Sequence, residues 1–124
     1  MNVETDLLEP IGKIIDLNVM NLYMIRPGIV VSQYRDPIEI DFDLIEKVHL
    51  HTGRLTDGKA YPQLFIPVKG VSASKEVIQW SYTEFANIYT TKSAIICKTK
   101  FQQVLGNIYL QTKRPARPSR LFTD

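Results

Sequence analysis

Ser72 and Ser74 stand two apart in Val71-Ser-Ala-Ser-Lys-Glu76, where an apolar segment passes through Gly70 into a helical pattern. A hydroxyl placed there can cap the helix, accepting a bond from a free N–H of the first turn and stabilising it by about 1 kcal/mol over alanine. It can also accept a phosphoryl group, which adds roughly −1.5 to −2 charges beside the positive end of the helix dipole. Capping alone accounts for both serines, and a phosphoswitch at Ser72 or Ser74 is the second role. Asp41 and Asp43 are also two apart at a helix start, a placement that suits the dipole better than acid–base work. His49 and His51 would diverge by about 200° on a helix and so cannot share a metal ion. The one cysteine, Cys97, has no second thiol for a disulfide or a thiolate metal site and reads as a buried, inert group. There is no Gly-rich phosphate loop, His-Glu-x-x-His or Gly-x-Ser-x-Gly pattern. The chain therefore reads as non-enzymatic, with no cofactor and no metal implied.

Trp80 is the remaining residue of note. On a helix spanning residues 74–87 it projects among Glu76, Gln79, Thr83 and Glu84, the polar face. A large aromatic there is either covered by a neighbouring segment of the same chain or offered to a partner.

The elements that must position these residues follow from periodicity and turn chemistry. Residues 1–10 form an acidic lead-in ending at Pro10, and residues 11–124 are expected to form one domain. Residues 11–25 and 29–34 are rich in β-branched and aromatic side chains around Arg26-Pro27-Gly28, which predicts a β-hairpin. Asp41 is the expected N-cap of a first helix that Gly53 is expected to stop, with Leu44, Ile45, Val48 and Leu55 on one arc. A strand follows over 61–68, then the second helix with Val77, Ile78, Tyr82, Phe85, Ala86 and Ile88 on its apolar half. The continuous apolar run at 93–98 suits a strand inside a sheet. A third helix over 101–113 and a last strand over 118–124 complete an order β-β-α-β-α-β-α-β. That alternation predicts an α/β sandwich, a mixed sheet of about five strands covered by helices.

The formal charge of +2 conceals an asymmetry. Residues 1–46 carry nine acids and three bases, whereas residues 85–123 carry seven bases and no acid. Such polarity helps two copies associate or steers an anionic partner. Because the bases are spread over strand, helix and loop, solvated faces are the simpler reading, and nucleic-acid binding is not expected. No run of eighteen apolar residues and no basic-then-apolar leader is present, so the expectation is a cytoplasmic protein without a membrane span.

Four phrases, "GKAYPQLF" (58–65), "VSASKE" (71–76), "LGNIYL" (105–110) and "RPARPSRLFTD" (114–124), together with the element order, resemble a family of small uncharacterised bacterial proteins with a STAS-like fold, that of the anti-sigma factor antagonists. The resemblance covers roughly residues 20–124 and brings no reaction with it. It implies that the second helix and its N-terminal turn form the partner surface, placing Ser72, Ser74 and Trp80 at an interface. The antagonists' phosphorylated Asp-Ser-Ser-Gly type motif is matched here by Val71-Ser72-Ala73-Ser74, without the Asp and Gly. Members of that family continue past Thr123-Asp124 with a further helix. Its absence would leave part of one sheet face uncovered, or covered by residues 1–19 or a second subunit. The expectation is a STAS-like protein-interaction or regulatory module, a homodimer that binds an unidentified protein. The alternative is a small carrier that holds an apolar or lipid-like ligand between helices and sheet.

Overall fold

The computed structural model of the protein describes residues 9–97 and 119–123, the latter segment and Cys97 by backbone path alone. Strands β2 (Met20–Ile25) and β3 (Ile29–Tyr34) form the hairpin, in register from Met20↔Tyr34 to Ile25↔Ile29. Gly28 takes φ +135° in the connection, where its N–H donates to the Ile25 carbonyl at 2.9 Å, a conformation open to glycine. β5 (Tyr61–Ile66) pairs parallel with β3, β7 (Thr90–Cys97) with β5, and β8 (Ser119–Thr123) with β7. The short strand β1 (Ile15–Asp16) borders β2 at the antiparallel edge, which gives the order β1-β2-β3-β5-β7-β8. The mixed sheet of five main strands is thus present. Its ladder shifts register opposite Pro62, which has no N–H to donate.

Period-two alternation loads both faces of the hairpin. Met20, Leu22, Val30 and Tyr34 point to one face and pack with Ile40, Val48 of helix α1 (Phe42–Leu55) and Val77 of helix α2 (Lys75–Ser81). Tyr23, Ile25, Val31 and Ile66 point to the other, where Ile29, Leu64 and Ile96 join them. All four are 3% exposed or less, so no open sheet face is presented at these positions.

A second, two-rung ladder sets the helices. β4 (Glu39–Ile40) pairs parallel with β6 (Ser72–Ala73), and the N–H groups of Ser72 and Ser74 donate to the carbonyls of Ile38 and Ile40, both at 3.0 Å. Each strand leads directly into a helix, so α1 and α2 start side by side. Asp41 caps α1 through the Leu44 N–H at 2.9 Å, as its sequence position predicts. Ser74 caps α2 through the Val77 N–H at 3.2 Å. Close by, Gly70 at φ +92° lies against Pro37, where a Cβ would fall 2.8 Å from the proline ring.

Three expectations are corrected. The first strand is not continuous: Asn18, at φ +73°, turns the chain between β1 and β2, with its N–H bonded to Asp16 Oδ1 at 2.8 Å. Arg35 holds that turn from the end of β3 by donating to Asp16 Oδ1 and the Asn18 carbonyl. Gly53 does not stop α1. The helix runs to Leu55, and the left-handed residues Asp57 and Gly58 end it, with the Gly58 N–H returning to the Gly53 carbonyl at 2.8 Å. The second helix ends at Ser81 rather than 87, and a separate 3₁₀ turn, Phe85–Asn87, follows. The third helix expected over 101–113 lies outside the described residues.

Candidate functional site

The break after α2 is built by side chains that bond locally instead of leaving the backbone to continue the helix. The Ser81 hydroxyl donates to Ile78 O at 2.6 Å and the Thr83 hydroxyl to Trp80 O at 2.7 Å. Thr83 Oγ1 in turn accepts from the Ala86 N–H at 3.2 Å. Asn87 Nδ2 donates to two carbonyls, Ser81 O at 2.9 Å and Thr83 O at 2.8 Å. The result is a tied knuckle that projects Phe85, 61% exposed, and Ile88, 41% exposed.

Behind the knuckle lies an aromatic cluster that joins it to α1. His49 is its centre, with ring centroids 4.8 Å from Phe85, 5.0 Å from Tyr89 and 5.4 Å from Trp80. Trp80 also meets Phe42 and Phe85 edge to face, each at 6.4 Å. His49 Nε2 is buried without a hydrogen-bond partner. Burial disfavours the imidazolium and lowers the His49 pKa from its ordinary 6.5. An imidazole so placed acts as a flat wedge between rings.

Trp80 is therefore partly covered by its own chain, and its ring contacts run to Phe42, His49 and Phe85. Ser74 is engaged as the helix cap, whereas Ser72 is exposed on β6 opposite Glu39. Both serines share the start of α2, and Trp80 stands six residues beyond Ser74, about 9 Å along a helix axis. Sequence reasoning missed Phe85, Ile88 and His49. It placed Phe85 and Ile88 on the buried half of one continuous helix, although Ser81, Thr83 and Asn87 carried the signal for a break.

Among the described residues, no group of three His, Cys, Asp or Glu side chains is placed to hold a metal ion. No helix of the described residues is long and apolar enough to cross a membrane. A depression on α1 lined by Asp43, Glu46, Lys47 and Leu50 is open to solvent and bordered by three charged side chains, unlike the enclosed apolar volume a lipid carrier needs.

A family model described as a domain of unknown function, DUF7793, matches residues 23–124, a span that opens within β2 and takes in both helices and the knuckle. No curated protein and no solved structure matches the chain.

Proposed function

We propose that this chain, which belongs to the DUF7793 family of domains of unknown function, is a non-enzymatic STAS-like interaction or regulatory module. In this reading it is a homodimer that binds a protein partner through α2 and the knuckle behind it. Phe85 carries the reading. A phenylalanine left 61% exposed while Thr83 and Asn87 tie its turn in place is a pre-ordered apolar anchor, the kind of residue that dominates binding energy when a partner covers it. Trp80 supports the anchor from below, and Ser72 offers an accessible hydroxyl at the start of the same unit. The order of the sheet, a hairpin followed by parallel strands with helices between, supports the STAS-like reading.

The test compares the protein with Phe85→Asp by cross-linking in a native extract and by thermal melting. The expected result is a defined complex that disappears in the variant while the melting temperature holds. Complexes of undiminished yield in Phe85→Asp would sink the reading.

A further inference from the structure

The surroundings of the anchor have a sign. Glu46 stands one turn before His49 on α1, and Glu76 one turn before Trp80 on α2; both are exposed. Asp43, one turn before Glu46, extends the acidic line. Of the exposed bases on these two helices, Lys75 lies about 140° round from Trp80 and Arg54 about 140° round from His49, whereas Lys47 shares a depression with Asp43 and Glu46 and leaves that side of the rim net acidic. An apolar, aromatic centre with an acidic rim is thus fixed on the surface by the ladder that aligns α1 with α2.

Charge selects the occupant. Phosphate-bearing ligands, whether nucleic acid, anionic lipid or phosphopeptide, meet repulsion from the rim. A protein segment that carries arginine or lysine beside a large apolar residue meets attraction at the rim and an anchor at the centre. Arginine adds stacking on the exposed ring of Phe85. We propose that this ridge is the docking surface for a cationic protein segment with an apolar anchor. The proposal rests on the interaction-module reading and names the chemistry of the partner.

Trp80 is the only tryptophan in the chain, so its fluorescence reports on the ridge. The full chain is titrated with two short tryptophan-free peptides, one of alternating arginine and leucine pairs and one with glutamate in place of arginine. Saturable change of Trp80 emission is expected with the arginine peptide alone, weakening as salt is raised. Phe85→Ala, which keeps every charge, and the double variant Glu46→Gln/Glu76→Gln should each weaken binding about tenfold. Equal binding of both peptides, or unchanged affinity in Phe85→Ala, overturns the proposal. So does the absence of binding by either peptide. In that last case sedimentation velocity separates the two readings: a dimer that Phe85→Ala dissociates makes the ridge a self-interface and keeps the interaction module, whereas a monomer with no complex removes both.

Discussion

Tyr89 lies across Gly53 so closely that a Cβ on the glycine would fall 2.6 Å from the tyrosine hydroxyl oxygen and 2.7 Å from its ring carbon Cζ. The glycine sits inside α1, where alanine is the better helix former by about 0.5–1 kcal/mol. Propensity and packing therefore oppose one another at this position. Tyr89 is also anchored at its own backbone, whose carbonyl accepts from the Tyr61 N–H at 3.1 Å and from Gln63 Nε2 at 2.9 Å. Its ring also packs against His49, with centroids 5.0 Å apart, so a shift to make room for a Cβ disturbs that contact. Gly53→Ala should cost about 1–2 kcal/mol net, an overpacking penalty that exceeds the helical gain. Urea denaturation measures it, and a stabilised variant would mean that the Tyr89 ring yields freely.

Trp80 and Phe85 touch, yet they should respond differently to truncation. Phe85 is mostly in solvent, so Phe85→Ala should change stability by no more than about 0.5 kcal/mol. Trp80 fills the space between Phe42 and His49, so Trp80→Ala should cost about 2–3 kcal/mol. Thermal melts of the two variants side by side check the contrast. Equal losses would show that the knuckle, rather than the α1–α2 contact, holds the cluster together.

Much of the sheet was legible because its signals are local. The β-branched runs of β3 and β7 and the turn residues Arg26-Pro27-Gly28 need no distant partner to be read. The cap at Asp41 is equally local. Gly53 was read as a helix stop because a glycine serving close approach looks identical in sequence to one that ends a helix; only Tyr89, far along the chain, distinguishes them. The turn at Asn18 depends in part on Arg35, which reaches back from the far end of the hairpin. The knuckle was hidden for a different reason. Apolar residues keep a helical period through Phe85 and Ile88, and that period outweighed the hydroxyl and amide groups that compete for the backbone. The candidate site lies where periodicity and local bonding disagree.

His49 should make stability depend on pH. Its pKa is depressed in the fold by burial, so above the ordinary value of 6.5 both folded and unfolded chains hold it neutral and no penalty arises. As pH falls through 6.5 the unfolded chain takes up the proton first, and stability declines until the folded-state pKa is passed. His49→Phe, which keeps a flat ring among Trp80, Phe85 and Tyr89, should lack this part of the acid sensitivity. Chemical denaturation at a series of pH values between about 7.5 and 5 reads it. Parallel curves for the two proteins would count against burial as the force acting on the imidazole.

Ser72 and Ser74 should separate in the same kind of experiment. The Ser74 hydroxyl oxygen accepts from Val77 N–H, and its loss in Ser74→Ala should cost about 1 kcal/mol. Aspartate caps helices as well as serine does and adds a favourable charge at the N-terminus, so Ser74→Asp should restore the stability lost in the alanine variant. Ser72 is exposed on β6 and takes part in the ladder through its backbone, whose N–H donates to Ile38. Ser72→Ala should therefore be neutral to within about 0.5 kcal/mol. The pattern ranks the two hydroxyls for modification. Ser72 is accessible and structurally idle, whereas phosphorylation of Ser74 must displace or replace a working cap. Mass spectrometry after incubation with a kinase-competent lysate should find phosphate on Ser72 before Ser74 if either is used. Modification of Ser74 alone would show that a kinase selects the capped position despite its engagement in the fold.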